Sequence, residues 1–283
     1  MVADRRHRPF QLLTGFAALL GVLPAAFGAS LADPAALAGA FLAWTVGVYL
    51  CAAGGTVIAA TTFSRGEPQR PGWLLLAASY AVLVPGRLLA GANPLGLLEG
   101  TTRLPTVVSA LSVCSATLGV AGFLLLARAW RASGLDLTSR TTRVAMRVAA
   151  LLVALAAAGP DLVEKLPAAA RGDPVAMVDV ITDVLDGALF VVAVPVLRAA
   201  LALGGGLVAW PWGLLTLSLL AWLGYDAAVI WGDAAGLSPR DARVVAEAMR
   251  ALGAGAAFAA GLAQRWIMQS PPGSAVEPEP TAP

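Results

Sequence analysis

Residues 172–187, GDPVAMVDVITDVLDG, combine an Asp-Pro helix start with three further acidic side chains inside the apolar run that follows. At 100° per residue, the spacings between Asp179, Asp183 and Asp186 place their carboxylates within an arc of about 60°. The remaining residues of the segment are as apolar as those of a membrane-spanning helix. Ionisable groups at membrane depth usually face a bundle interior or a water-filled cavity, so we expect this acidic face to line one.

The composition of the chain is that of a polytopic helical membrane protein. Of 283 residues, 58% are hydrophobic and 13% are charged, and the mean hydropathy is +0.77. Soluble domains carry about 25% charged residues. A membrane-spanning helix needs about 20 mostly apolar residues, and eight segments meet this requirement: 10–28, 35–63, 72–91, 105–128, 144–163, 174–202, 207–231 and 239–268. The sequence therefore predicts an all-α integral membrane protein with eight transmembrane helices.

The first apolar segment has two interpretations. Arg5, Arg6 and Arg8 precede a short apolar run followed by small residues, which is also the pattern of a secretory signal peptide. Cleavage of this segment would leave seven helices, and the sequence does not decide between the alternatives. We treat residues 1–269 as one polytopic helical membrane domain. The Pro-rich, polar residues 270–283 are expected to form a disordered cytoplasmic tail.

The distribution of basic residues predicts the orientation. With the N-terminus inside, twelve Lys and Arg residues fall in cytoplasmic segments and five in outer segments, while Arg87 and Arg250 lie within helices. Because cytoplasmic loops carry the excess of positive charge, we expect both termini in the cytoplasm and the chain in the cell (inner) membrane. The densest basic cluster, residues 128–147, then forms an inner loop. It serves either as a topology anchor or as a contact for anionic lipid or a cytoplasmic protein.

Sequence similarity between the two halves indicates an internal repeat. LADPAALAG at 31–39 resembles RGDPVAMVD at 171–179, and the Asp-Pro pair of each provides an N-cap followed by proline at the first helical position. The repeat halves would cover residues 10–130 and 144–268. They would form two parallel four-helix units related by an axis along the membrane normal, an arrangement known among transporters.

Further charged residues lie near the same depth as the acidic face. The candidate residues for ligand or proton binding are Asp179, Asp183, Asp186, Asp226, Arg87, Glu247, Arg250 and Tyr225. Aligning Trp73 with Trp212 in the two repeat halves places Arg87 opposite Asp226, and both lie at a similar depth near the outer ends of their helices, so we expect them to pair. With Arg243 counted among the cations, the carboxylates exceed the cations by two. The excess must be protonated, hydrated or paired with a bound cation. Alternatively, the charges only pair with one another and the cluster is structural.

The sequence offers no sign of an enzyme. It contains no phosphate-binding loop, no zinc-ligand spacing and no nucleophile–histidine pair. The only histidine, His7, lies near the N-terminus, which excludes a bis-histidine haem site within the helices. The only lysine, Lys165, lies at a predicted helix end, which disfavours a retinal Schiff base. We therefore expect no catalytic residue, no metal site and no cofactor. The scattered basic residues give no reason to expect a nucleic-acid partner.

Two segments of the second half resemble a known family. GDPVAMVD at 172–179, followed by PWGLLTLSLLAWLGYD at 211–226, is similar to the eight-helix membrane regions that precede diguanylate cyclase or histidine kinase domains in bacterial signalling proteins. The resemblance implies that Asp179 and Asp226 are the acidic residues shared with that family, and that the chain senses a signal within the membrane. We expect no output domain on this chain, so the signal would pass to a separate cytoplasmic protein.

These observations favour a multi-pass membrane protein with an outward-facing polar cavity. The expected function is sensing of a small ligand or cation from the outer side, coupled to a cytoplasmic signalling protein. A secondary transporter, driven by protons through the aspartates, and a structural membrane subunit are the alternatives. A transporter should continue its polar residues to the inner side, and the sequence has few there.

Overall fold

The computed structural model describes residues 2–92, 104–134, 139–202 and 206–269, and within these ranges the chain is helical and has no strand. The helices are α1 (Val2–Ser30), α2 (Pro34–Thr61), α3 (Gln69–Ala92), α4 (Leu104–Ala132), α5 (Arg140–Ala170), α6 (Pro174–Ala202), α7 (Ala209–Trp231) and α8 (Pro239–Gln269). Each is long and apolar enough to cross a membrane, so the predicted number and kind of helices are confirmed for these ranges. The expected tail, 270–283, lies outside the described residues.

Capping side chains start α2 and α6, as the two Asp-Pro pairs predict. Asp33 Oδ2 accepts a hydrogen bond from the backbone N–H of Ala36 at 2.8 Å. Asp173 Oδ1 accepts one from the backbone N–H of Val175 at 2.9 Å. Gly172, with φ of +88°, adopts the left-handed conformation that ends α5 and turns the chain into α6. This turn brings the acidic stretch of α6 directly beside the end of α5.

The odd-numbered helices finish at the end of the bundle where the even-numbered helices begin, which we call the cavity end; the other end is the closed end. At the cavity end, Arg240 at the start of α8 donates hydrogen bonds to the backbone carbonyls of Gly28 and Leu31, at the end of α1. At the closed end, Trp210 at the start of α7 donates its indole N–H to His7 of α1 at 3.2 Å. These contacts fix which helix termini lie together.

Helix α8 forms the centre of the bundle, with α1, α2 and α7 packed against it. Its buried face consists largely of small residues: Ala246, Ala251, Gly253, Ala254, Gly255, Ala256, Ala257, Ala259, Ala260, Gly261 and Ala263. Small side chains allow the backbones of neighbouring helices to approach closely, so the helices pack directly against one another. Two charged residues, Glu247 and Arg250, lie on this closely packed face.

The close approach of α2 and α8 predicts a clear difference between two glycine variants. A Cβ added at Gly261 would overlap the backbone carbonyl of Gly55, which cannot move without its helix. Overpacking of this kind costs about 1–3 kcal/mol of unfolding free energy, so Gly261→Ala is expected to destabilise the protein. Gly54→Ala is the control, because nothing lies within 4 Å of its added Cβ. Equal denaturant stability of the two variants would contradict this packing.

Candidate functional site

A cavity of about 490 Å³ lies in the half of the bundle nearest the cavity end. Seven of the eight residues selected from the sequence line it: Asp179, Asp183, Asp186, Asp226, Arg87, Arg250 and Tyr225. The eighth, Glu247, forms ion pairs with two of the lining arginines. The structure thus brings all eight residues to one place, although they come from four different helices.

The wall formed by α5 and α6 contains two residues that sequence reasoning missed. Lys165 Nζ lies 2.7 Å from Asp161 Oδ2 and 2.8 Å from Asp179 Oδ2. Helix α5 was expected to end at residue 163, but it continues to Ala170 with Pro160 and Pro167 inside it. Prolines in membrane helices often kink rather than end them. The available signal was the four-residue spacing of Asp161 and Lys165, which places them on one helix face.

Three further aspartates face the cavity without a cation of their own. Asp183 Oδ2 and Asp226 Oδ2 are buried and have no hydrogen-bond partner within the described ranges. Asp186 likewise forms no hydrogen bond or ion pair with any residue that the structure describes. Asp161 lies within hydrogen-bonding reach of Asp183. The negative charges of Asp186 and Asp183 are close enough to repel that of Asp226. Like charges therefore concentrate on this side of the cavity.

On the other side of the cavity, Glu247 organises the cations. Its side chain is nearly buried, with a residue exposure of 5%. Its Oε1 atom lies 2.5 Å from Arg87 Nη2 and 2.7 Å from Arg250 Nη1, and its Oε2 accepts a hydrogen bond from Thr45 Oγ1 at 3.0 Å. One carboxylate thus ties α2 and α3 to α8.

The predicted pairing of Arg87 with Asp226 is wrong, because Arg87 pairs with Glu247 instead. Equal depth along two helices does not fix the direction in which their side chains point. Arg87 points to the central helix α8, whereas Asp226 belongs with the aspartates of α6. Arg250 is held from a second direction, since its guanidinium carbon lies 4.3 Å from the ring centre of Tyr225, a cation–π contact.

The charge balance is also more negative than expected. Arg243 was counted among the cations of this cluster, but it is exposed and does not line this cavity. The lining instead contains five aspartates, two arginines and one lysine. Glu247 offsets one of the arginines, so the formal excess of carboxylates is three rather than two. An excess of this size requires protons, water or a bound cation to compensate it.

Aromatic rings and hydroxyl groups complete the walls. The rings of Tyr49 and Trp222 stack with their centres 6.3 Å apart, and Tyr225 packs edge-on to Trp222 at 6.0 Å. Tyr49 is only 4% exposed, yet its hydroxyl forms no hydrogen bond with a described residue. The hydroxyls of Tyr80 and Ser218 lie 3.1 Å apart. The cavity therefore combines aspartate carboxylates with aromatic faces and hydroxyl groups.

The polar lining stops in the middle of the bundle. The floor consists of apolar side chains: Leu76, Phe123, Leu189, Leu215 and Leu219. Beyond it, towards the closed end, the same core continues through Phe63, Trp73 and Phe190. The cavity therefore does not continue as a polar path through the bundle.

No protein-family model, no curated protein and no solved structure matches this chain. The resemblance to membrane regions of bacterial signalling proteins therefore stays a prediction, and the function has to be inferred from the chemistry of the cavity.

Proposed function

We propose that the chain is a multi-pass protein of the cell (inner) membrane that binds a small organic cation and reports it to a cytoplasmic protein. The eight apolar helices support insertion into a membrane. The excess of basic residues near the closed end, most of them in the terminal turns of the helices, supports a cytoplasmic location for that end and for both termini. The cavity then opens towards the outside. The proposal depends on one observation: Asp183, Asp186 and Asp226 face an aromatic-walled cavity without a cationic partner.

The chemistry of the cavity favours an organic cation as its ligand. Buried carboxylates are unfavourable unless a cation compensates them. A volume of about 490 Å³ is typical of pockets for small organic molecules and far exceeds that of a bare ion. Aromatic faces such as those of Trp222 and Tyr49 attract ammonium groups. The ligand would place its ammonium group near Asp183 and Asp226 and its remaining groups among the hydroxyls.

The apolar floor supports sensing over transport, because the cavity ends in the middle of the bundle. Helix α6 connects the two ends directly, running from Pro174 at the cavity end to Ala202 at the closed end. A ligand bound to Asp183 and Asp186 would shift this helix against its packing neighbours α4, α5 and α7. Such a discrete change could reach a cytoplasmic protein through the closed end of α6, which includes Arg198, and the neighbouring basic ends of α4 and α5.

A ligand screen tests this proposal. We expect at least one small primary, tertiary or quaternary amine to raise the thermal unfolding midpoint of the purified chain. Ligand at 100 times its Kd adds about 2.7 kcal/mol to the stability. Stabilisation by neutral or anionic compounds alone would contradict the proposal. Accumulation of the same amine inside vesicles that contain the protein would contradict the sensor proposal and support a secondary transporter instead.

The orientation makes a separate prediction. Cys51 and Cys114, both exposed on helices, are first replaced so that single cysteines can be introduced. A cysteine at position 233, between α7 and α8, should react with an impermeant thiol reagent added outside intact cells. A cysteine at position 136, which lies outside the described residues, should react only from the cytoplasm. The reverse pattern would place the cavity on the cytoplasmic side and exclude an external ligand.

A further inference from the structure

A second cavity, of about 270 Å³, lies near the closed end between α4, α5 and α6. Arg131, Arg143 and Arg147 line it together with the indole ring of Trp130 and apolar side chains of α6. No acidic residue lines it within the part of the chain that the structure describes. This cavity shares no residue with the aspartate-lined cavity and has the opposite charge.

Trp130 gives this cavity an unused hydrogen-bond donor. The residue is 7% exposed, and its Nε1 atom is buried without a partner among the described residues. An indole N–H can only donate, and a buried donor without an acceptor is unfavourable. The ring is held in place by Trp212, whose ring centre lies 5.8 Å away. A negatively charged acceptor in the cavity would satisfy this N–H and lie close to the positive charges of Arg131 and Arg147.

We propose that this cavity binds the phosphate of an anionic phospholipid headgroup. Arg131 and Arg147 are exposed at its rim and supply positive charge, and Trp130 supplies a neutral donor. Basic pockets between helices on the cytoplasmic side are a recognised way to bind anionic lipid. Under the orientation given above, the closed end lies at that side of the membrane.

The neighbouring surface explains why the phosphate belongs to a lipid rather than to a soluble anion. From Arg147 towards the middle of the bundle, α5 presents an apolar face to its surroundings. Its exposed side chains include Val148 at 51%, Leu151 at 48% and Leu152 at 62%. Acyl chains attached to a phosphate in the cavity would lie along this face. A soluble phosphate ester would leave it uncovered.

Native mass spectrometry of the full chain with added lipid tests the proposal. We expect phosphatidylglycerol to bind more tightly than phosphatidylcholine with the same acyl chains. Each arginine near the membrane surface contributes about a fivefold preference, so Arg131→Gln with Arg147→Gln should reduce it at least about tenfold. Trp130→Phe keeps the ring and loses the donor, so it should weaken phosphatidylglycerol binding about fivefold. Arg128→Gln is the control, because Arg128 is exposed on the same helix but does not line the cavity.

Three results would overturn the proposal. The first is equal binding of the two lipids by the wild-type chain. The second is an equal loss of preference in the Arg128→Gln control, which would indicate general surface charge. The third is displacement of phosphatidylglycerol by inorganic phosphate or glycerol 3-phosphate, which would indicate a site for soluble anions. Arg147→Gln alone replaces one exposed side chain and should leave the fold intact. A reduced preference of this variant for phosphatidylglycerol therefore cannot be attributed to misfolding. None of these results bears on amine binding in the aspartate-lined cavity.

Discussion

Replacing Glu247 with alanine is expected to lower the free energy of unfolding by about 3–5 kcal/mol, the usual cost of removing one partner from a buried ion pair. The change leaves the guanidinium groups of Arg87 and Arg250 without their common carboxylate, and Thr45 without its acceptor. Thr45 and Arg250 are buried, whereas the side chain of Arg87 is 22% exposed. Unfolding of the purified protein by increasing denaturing detergent measures the loss.

The double variant separates an ion pair from simple packing. If Arg87 and Glu247 stabilise one another, Arg87→Ala with Glu247→Ala should cost less than the sum of the two single changes. Glu164→Ala on the exposed side of α5 is the matched control, and it should stay close to wild type. Additive losses for Arg87 and Glu247 would mean that their contact contributes nothing.

The second large effect is expected at the unpaired aspartates. Asp183→Asn and Asp226→Asn keep the shape of the side chain and remove its charge, so each should weaken amine binding about 30-fold or more. The same variants should unfold no more easily than wild type without ligand, and Asp226→Asn should unfold less easily, because it relieves repulsion from Asp186 and Asp183. Weaker amine binding together with unchanged or higher stability distinguishes a binding residue from one that only stabilises the fold.

Asp233→Asn provides the matched control for both measurements. Asp233 is exposed in the turn between α7 and α8, at the same end of the bundle but outside the cavity. It changes the net charge by the same amount as the cavity variants. Equal weakening of amine binding in Asp233→Asn would show that the ligand responds only to overall charge. Unchanged binding in both cavity variants would mean that the aspartates are structural.

Periodicity explains why the acidic wall could be predicted. A helix of 3.6 residues per turn fixes which side chains share a face, so Asp179, Asp183 and Asp186 had to point the same way. The cost of burying charge then decided that this face points into the bundle. Helix ends were predictable for the same local reasons, since Asp33 and Asp173 cap their helices within three residues of sequence.

Contacts between helices could not be predicted in the same way. Arg87 pairs with Glu247 rather than with Asp226 because of the way α3 and α7 are rotated about their axes. Contacts with distant parts of the chain determine that rotation. The ion pair between Lys165 and Asp179 depends on α5 continuing past its expected end at residue 163, through Pro167 to Ala170. Proline disrupts local hydrogen bonding, but the packing of neighbouring helices decides whether the helix ends there.

We expect an organic cation to occupy the cavity among the aspartates and aromatic rings. An anomalous-scattering map of crystals of the full chain, soaked with a bromine-substituted form of the tightest-binding amine, would locate it directly. We predict one bromine peak inside the cavity, with the ammonium group close enough to Asp183 or Asp226 to donate a hydrogen bond. A cavity without a peak, at an amine concentration that saturates binding in solution, would contradict the account.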